Sequence, residues 1–189
     1  MALGEINTIE REVKAKPKSS LDFRLMSLIY KFRDLFLPRM SILKEVGIEA
    51  GFHVLDYGCG PGSYLIPLVE LVGVSGQIYA LDANPLAIQG VQRLVSRRRL
   101  GNMQTILSDL KTGLPSKSVD VVLLYDVLHD LKNAGKVLVE LHRVLKPQGI
   151  LSLSDHHMKA EEIISQVTSG RLFMLSASGK RTQSYLRGE

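Results

Sequence analysis

The sequence predicts an α/β fold in which a mostly parallel sheet carries helices on both faces. Three observations favour this class. Strand and helix patterns alternate from residue 52 onward, the strands are almost wholly apolar, and the tail has the pattern of two strands without an intervening helix. Wholly apolar strands are typical of parallel sheets covered on both faces. The 189 residues and 45% hydrophobic content fit one globular domain.

The region before the alternation has two parts. Residues 1–20 are polar and basic, which predicts a loose arm, and residues 21–189 form the predicted single domain. Within it, residues 21–47 carry apolar residues at helical spacing with charges between them, so they predict covering helices. Pro38 breaks or restarts the helical pattern, and Gly47 ends its second part.

The predicted elements then follow one another along the chain. The predicted strands are residues 52–56, 77–82, 103–109, 119–126 and 149–155, and the predicted helices are residues 62–73, 84–101, 133–149 and 160–170. Asn84 and Pro85 are residue types preferred at a helix N-cap and first position. Pro67 lies inside a helical stretch, where a kink is expected. Residues 171–187 predict a hairpin that turns at Ser178-Gly179.

Composition limits the function classes. Cys59 is the single cysteine, which excludes an intrachain disulfide and a multi-cysteine zinc site and favours a cytoplasmic protein. The first residues lack the apolar core of a secretory signal, and no apolar stretch has the ~18 residues of a membrane span. The net charge of +5 suits RNA or a lipid surface, but many soluble enzymes carry as much. Nucleic acid therefore stays open as a partner without being favoured. The sequence does not distinguish a monomer from a homodimer.

The stretch VLDYGCGPGSY, residues 54–64, connects the first predicted strand to the first helix of the sheet. Ligands of open α/β sheets bind beyond the carboxyl ends of the strands, where glycines allow close approach to the backbone. The spacing here is G-x-G-x-G at Gly58, Gly60 and Gly62, and it lacks the last glycine of the dinucleotide pattern G-x-G-x-x-G. Asp56 would repel a pyrophosphate, so the loop favours a ligand with an amino or sulfonium cation.

The next two strand ends suit a nucleoside. Asp82 ends the second strand 20 residues after Gly62 (82 − 62 = 20), where an acid can accept hydrogen bonds from both ribose hydroxyls. Asp109 follows the third strand and can accept from an adenine amino group, while the amide of Leu110 donates to a ring nitrogen. The side chains of Ala83 and Leu110 can enclose the base.

Together these motifs resemble the class I S-adenosylmethionine-dependent methyltransferases, in particular the type-11 group that includes ubiquinone/menaquinone-biosynthesis enzymes. The resemblance covers roughly residues 50–155 and includes VLDYGCGPG, LDANP and LHRVLKPQGIL. It implies a Rossmann-like three-layer sandwich whose seven-stranded sheet has the order 3-2-1-4-5-7-6 and an antiparallel last strand. It also implies S-adenosylmethionine as cofactor and S-adenosylhomocysteine as product.

The resemblance assigns one set of residues to the cofactor, with Asp56 and the glycine loop on its methionine part. The predicted cofactor-binding residues are Asp56, Gly58, Cys59, Gly60, Gly62, Asp82, Ala83, Asp109, Leu110 and Tyr125. A helix N-terminus lowers a thiol pKa, but Cys59 is expected to be a small loop residue rather than a reactive thiol.

A second set of residues follows the fourth and fifth strands. The candidate bases are Asp126, His129, Asp155, His156 and His157. His129 and Asp126 are the predicted catalytic residues, and base, site-lining and structural roles all remain open for His129. A base is needed only where the acceptor is protonated, because alignment with the electrophilic methyl group supplies most of the catalysis.

The sequence says less about the residues that contact the substrate than about those that contact the cofactor. His156, His157 and Tyr30 are predicted to line the substrate, with a solvated strand end as the alternative for the histidines and the core as the alternative for Tyr30. Adjacent histidines on an extended chain point to opposite faces, so no metal site is predicted. The predicted function is methyl transfer by direct displacement to a small, hydrophobic, quinone-like acceptor. An RNA or protein methyltransferase and a catalytically silent adenosylmethionine-binding subunit are the alternatives.

Overall fold

One seven-stranded sheet organises residues 39–188, the part of the chain that the computed structural model describes. The strands are β1 His53–Tyr57, β2 Gln77–Asp82, β3 Met103–Leu107, β4 Val119–Tyr125, β5 Leu145–Ser154, β6 Phe173–Ser178 and β7 Gln183–Arg187. The helices are α1 Arg39–Leu43, α2 Leu65–Val72, α3 Pro85–Arg98, α4 Ala134–Val144 and α5 Ala160–Thr168, with a 3₁₀ turn at Leu128–Asp130.

The strand order is β3-β2-β1-β4-β5-β7-β6. Strands β1 to β5 are parallel to their neighbours in this group, whereas β7 runs antiparallel to both β5 and β6. The predicted order and the antiparallel last strand are therefore confirmed. The predicted arm, residues 21–38 of the predicted covering helices, and Tyr30 lie outside the described residues.

Helices cover both faces of the sheet, each over its own apolar cluster. Alternate residues of β4 serve the two clusters: Val122 and Leu124 face α4 and α5, whereas Val121 and Leu123 face α1, α2 and α3. Both faces of the central strands are therefore buried, as the wholly apolar pattern predicted. Within residues 39–188, no helix is both long enough and apolar enough for a membrane crossing.

Several element boundaries differ from the sequence prediction, and three of these differences involve the backbone geometry. Helix α2 begins at Leu65, so Pro67 lies in its first turn, where no backbone hydrogen bond is lost. Helix α3 ends at Arg98, and Arg99 takes the left-handed conformation with φ 54° before Gly101 is reached.

The third difference lies between α4 and β5. The predicted helix over residues 133–149 is too long, because α4 ends at Val144 and β5 begins at the next residue. Pro147 explains the early stop, since a proline cannot continue a helix and disfavours helical backbone in the residue before it. The pairing of β5 with β4 shifts between Val119 and Val121, which accommodates the extra residues.

Candidate active site

The three glycines of the loop after β1 have different reasons for being glycine. All three have positive φ: 80° at Gly58, 52° at Gly60 and 84° at Gly62. A Cβ at Gly58 would overlap the side chain of Val127, and one at Gly62 would lie 2.8 Å from Cδ1 of Leu65. A Cβ at Gly60 would meet nothing within 4 Å. Packing inside the chain therefore explains two of the glycines, and only Gly60 borders open space where a ligand can lie.

The amides of this loop are directed into the protein. The N–H groups of Gly58 and Cys59 both donate to the carbonyl of Leu81, at 2.8 Å and 2.9 Å. The N–H group of Gly62 donates to the carbonyl of Cys59 at 2.9 Å, and Pro61 has no N–H group. These bonds tie the loop to the end of β2.

The remaining amide of the loop is bound by Asp82. Its Oδ2 accepts from the N–H of Gly60 at 2.8 Å, and its Oδ1 accepts from the N–H of Asn84 at 2.8 Å. Every N–H between residues 58 and 62 is thus used inside the chain. Each carboxylate oxygen can accept more than one hydrogen bond, so Asp82 keeps acceptor capacity toward a ligand hydroxyl. This part of the site therefore presents carboxylate oxygens that accept hydrogen bonds from a ligand, and not backbone N–H groups that donate them.

Asp56 adds a second carboxylate below the loop. Its side chain is buried, and Oδ2 has no hydrogen-bond partner among residues 39–188. Burial and the charge of Asp82 raise the pKa of Asp56 to about 7, against the opposing charge of Arg39. The buried guanidinium of Arg39 donates to the Tyr64 hydroxyl at 2.8 Å and lies 4.7 Å from the centre of its ring. An unpaired buried carboxylate oxygen suits a ligand that carries a positive charge.

The predicted adenine-side residues lie at the same edge of the sheet. Ala83 and Asp109 are exposed. The Tyr57 hydroxyl donates to the carbonyl of Asp109 at 3.0 Å, which anchors the loop after β3. The amide of Leu110, predicted to donate to a ring nitrogen, donates to Oγ of Ser108 at 3.3 Å.

Two residues of the predicted cofactor set have side chains in the core. The hydroxyl of Tyr125 lies 2.8 Å from Oγ of Ser152, and its ring packs edge-on against Tyr64 with the centroids 5.0 Å apart. Cys59 is buried in the same cluster, where burial and the charges of Asp56 and Asp82 raise the pKa of its thiol. The expected lowering of the Cys59 pKa at a helix N-terminus is therefore wrong, because desolvation dominates.

A second polar group lies after β4 and β5. Asp126 and His129 follow β4, and Asp155 and His156 follow β5. Each carboxylate pairs with the histidine of the other loop: Nδ1 of His129 is 2.8 Å from Oδ2 of Asp155, and Nδ1 of His156 is 2.6 Å from Oδ1 of Asp126. We call these the crossed pairs. They join the two loops through side chains.

The rings of three histidines lie close together, with their planes tilted by 49° between His129 and His157 and by 42° between His157 and His156. The ring centroids of His129 and His157 are 4.3 Å apart, and those of His157 and His156 are 3.8 Å apart. The expectation that adjacent histidines point to opposite faces is wrong here, because β5 ends at Ser154 and the chain turns. Despite this proximity, residues 39–188 contain no arrangement of three or more His, Cys, Asp or Glu side chains that could hold a metal ion.

The side chain of Val127 links the segment that carries the crossed pairs to the glycine loop. Val127, which follows Asp126, is the residue that fills the space above Gly58. The crossed pairs therefore adjoin the glycine loop at the carboxyl end of the sheet. A surface cavity of about 680 Å³ lies at the opposite end of the strands, away from the glycine loop. Its lining includes His53, Gln77 and Asn102, which lie at or just before the first residues of β1, β2 and β3.

Comparison with known proteins assigns the family. The family model described as "Methyltransferase domain" matches residues 48–185. The chain belongs to this methyltransferase-domain family. The resemblance predicted from the glycine loop is thereby confirmed.

Several relatives of this methyltransferase-domain protein are similar in sequence. It is 30% identical over 142 residues to the demethylmenaquinone methyltransferase of Geobacillus kaustophilus (strain HTA426), which covers 75% of this chain and 61% of that relative. It is 28% identical over 147 residues to the ubiquinone/menaquinone biosynthesis C-methyltransferase UbiE of Marinomonas sp. (strain MWYL1), covering 76% and 59%. The chain thus spans about three fifths of the length of these relatives.

A solved structure supports the fold assignment. The crystal structure of a SAM-dependent methyltransferase from Aquifex aeolicus matches with a TM-score of 0.73 and 26% identity, covering 83% of this chain and 93% of that one.

Sequence reasoning did not include Arg39 in the site and did not indicate the burial of Asp155. Arg39 lies in a stretch whose charges alternate with apolar residues, a pattern that indicates solvent exposure, yet its side chain is buried. Asp155 was a candidate base, but no sequence signal indicated that it would lie buried against His129.

Proposed function

We propose that this protein transfers a methyl group from S-adenosylmethionine to a small hydrophobic acceptor. One observation supports this above the others. A buried oxygen of Asp56 has no hydrogen-bond partner among residues 39–188, and the N–H groups of the glycine loop are all used inside the chain. A pyrophosphate would find no donor at residues 58–62 and would face two carboxylates. A cationic amino-acid group attached to a nucleoside would find acceptors.

The residues present fit this cofactor. Asp56 would hold its cationic amino-acid part, Asp82 would accept from the ribose hydroxyls, and Ala83, Asp109 and Leu110 would adjoin the adenine. When bound, S-adenosylmethionine supplies a methyl group made electrophilic by a positively charged sulfur. The chain contributes alignment of the acceptor and exclusion of water, which account for most of the rate enhancement in such a displacement.

The names of the relatives support a quinol-like acceptor. Two relatives are named for demethylmenaquinone and for ubiquinone/menaquinone biosynthesis. We infer an acceptor of the same chemical class, a flat aromatic ring with hydroxyl groups. Asp126 and His129, after β4, lie next to the glycine loop and would face such a ring, and His156 and His157 would line it.

Calorimetry with S-adenosylhomocysteine tests the cofactor, with NAD as the control ligand. We expect micromolar binding of S-adenosylhomocysteine and no binding of NAD. Equal binding of both ligands, or none of S-adenosylhomocysteine, would contradict the proposal. Transfer of labelled methyl groups to 1,4-naphthohydroquinone, kept reduced under anaerobic conditions, then tests the acceptor class. RNA and casein serve as alternative acceptors. Transfer to RNA or casein alone would show that the acceptor is a macromolecule and not a small molecule.

A further inference from the structure

The His129–Asp155 pair is the more buried of the two crossed pairs, and it has the geometry of a base held in position by a carboxylate. We propose that Asp155 is a positioning residue that holds His129 with its Nε2 ready to take a proton from the acceptor. The inference rests on the proposed methyl transfer and adds how the acceptor loses its proton.

The carboxylate of Asp155 accepts hydrogen bonds from two backbone N–H groups and contacts a ring nitrogen of His129. Its Oδ2 accepts from the backbone N–H of His129 at 3.1 Å, its Oδ1 accepts from the backbone N–H of His157 at 3.1 Å, and Nδ1 of His129 lies 2.8 Å from Oδ2. The Asp155 side chain is 0% exposed and that of His129 is 24% exposed. An ionised carboxylate only accepts hydrogen bonds, so Nδ1 carries the hydrogen and Nε2 carries the lone pair.

The surroundings of Nε2 leave that lone pair able to accept a proton. The Oδ2 atom of Asp130 lies 3.7 Å from Nε2, which is beyond hydrogen-bond distance, and as a carboxylate oxygen it offers no proton. The Asp130 side chain is 61% exposed. After proton uptake, the imidazolium of His129 would stand between the carboxylates of Asp155 and Asp130, with a route to water past Asp130.

The position of His129 brings this nitrogen to the reaction end of the site. Val127, two residues earlier, packs on Gly58, so the segment that carries His129 touches the glycine loop. The neighbouring ring of His157, with its centroid 4.3 Å away, limits rotation of the His129 ring. Both the ring orientation and its protonated nitrogen are thus fixed before an acceptor arrives.

The proton balance of the step is simple. An electron pair of the acceptor forms the bond to the methyl carbon, the electrons of the broken carbon–sulfur bond stay on sulfur, and the acceptor's proton moves to Nε2 of His129. Water then takes that proton from the exposed side of the ring. This arrangement suits a phenolic hydroxyl or an adjacent ring carbon, whereas an uncharged amine can attack without a base.

The second crossed pair is a natural comparison within the molecule. Asp126 and His156 make the same contact, but the His156 side chain is 52% exposed, against 24% for His129. A solvent-exposed ion pair orients its partners weakly because water competes for both groups. The geometry therefore assigns the positioned base to His129 and not to His156.

The tautomer of His129 can be measured without an acceptor. We would record long-range ¹H–¹⁵N spectra of histidine-labelled protein saturated with S-adenosylhomocysteine, and assign His129 by its loss in His129→Gln. We expect the Nδ1–H tautomer in the wild type and mostly the Nε2–H tautomer in Asp155→Asn, whose amide would donate to Nδ1. Asp120→Asn, the same change at the other end of β4, should leave His129 unchanged. An Nε2–H tautomer in the wild type would overturn the proposal whether or not the variants fold.

Turnover supplies the second readout. With 1,4-naphthohydroquinone as the acceptor, kcat should fall about 100-fold or more in Asp155→Asn and His129→Gln. KM and S-adenosylhomocysteine affinity should change less than about threefold, and Asp120→Asn should match the wild type. A kcat within about threefold of the wild type in Asp155→Asn would refute the proposal. Failure of the wild type to methylate this probe would count against the acceptor class in the proposed function, and the tautomer would then decide the role of Asp155.

Discussion

The glycine loop and the crossed pairs lie at the same end of the sheet but are built differently. Backbone hydrogen bonds and packing fix the glycine loop, where Val127 fills the space above Gly58 and Leu81 accepts from two amides. Side-chain contacts between carboxylates and imidazoles form the crossed pairs. A loop fixed by its backbone should respond to substitution through folding and ligand affinity, whereas a side-chain cluster should respond mainly in catalysis.

The largest expected effect is that of Gly58→Ala. The new Cβ would overlap Val127 and would occupy a backbone with φ 80°, so we expect a loss of roughly 2–5 kcal/mol in the free energy of unfolding. Urea unfolding measures this loss. Gly60→Ala is the matched control, because its Cβ would meet nothing within 4 Å, and it should lose only about 1–2 kcal/mol. Equal losses in the two variants would show that packing on Val127 does not matter.

Asp82→Asn should affect both stability and ligand binding. Asparagine offers one acceptor oxygen where Asp82 accepts from two backbone N–H groups, so one N–H loses its partner, at a cost of about 1–3 kcal/mol. We expect a 10- to 100-fold weaker affinity for S-adenosylhomocysteine by calorimetry. Asp120→Asn, at the amino end of β4 and away from the glycine loop, should bind like the wild type. An unchanged affinity in Asp82→Asn would remove Asp82 from the ligand site.

Asp56 should make ligand binding depend on pH. Its pKa of about 7 in the ligand-free protein falls when a cationic group binds beside it, so binding releases a proton below pH 7. Affinity for S-adenosylhomocysteine should therefore weaken as the pH falls below 7, by up to about tenfold per pH unit. Titrations between pH 5.5 and 8.5 measure this slope, and Asp56→Asn should flatten it while binding more weakly. A steep slope in the variant would assign the proton to another group.

The stability of the ligand-free protein should change with pH in the opposite sense. Because burial raises the pKa of Asp56 from 3.8 to about 7, the folded protein holds this proton more tightly than the unfolded chain does. The contribution of Asp56 to the free energy of unfolding is then full below pH 3.8 and is lost as the pH rises to about 7. The difference between the wild type and Asp56→Asn in urea unfolding at several pH values isolates this contribution.

His156→Gln should have the smallest effect. The pair with Asp126 is solvent-exposed, so we expect a loss below about 0.5 kcal/mol and a shift of the melting temperature of no more than about 2 °C. Thermal unfolding measures it beside Asp155→Asn, which alters a buried carboxylate that accepts from two backbone N–H groups and contacts His129, and which should lose several-fold more. Similar losses would mean that the two crossed pairs are equivalent, contrary to their burial.

The alternation of apolar segments allowed the strands and helices to be placed approximately, because it reflects backbone periodicity. The sheet order was implied by the family resemblance and not by periodicity. The sequence also indicated that carboxylates rather than phosphate donors follow β1 and β2. It could not show why each glycine is present, since Val127 approaches Gly58 from the segment after β4, more than sixty residues later in the chain.

The arrangement of the histidines after β4 and β5 was predicted less well for a related reason. The residue types after β4 and β5 were identified, but which carboxylate pairs with which histidine depends on the turn that ends β5. An extended-chain assumption placed His156 and His157 on opposite faces, whereas their rings lie 3.8 Å apart. Side-chain pairing across two loops is a tertiary property that spacing along the chain does not contain.

The use of all loop N–H groups inside the chain bears on competition in the cell. ATP, NAD and coenzyme A are abundant nucleotides, and each carries several negative charges on phosphate groups. A loop that cradled them with free amides would be occupied most of the time. Here the carbonyls of Leu81 and Cys59 and the carboxylate of Asp82 accept from those amides, so phosphate-bearing nucleotides are disfavoured without any added contact to the preferred ligand.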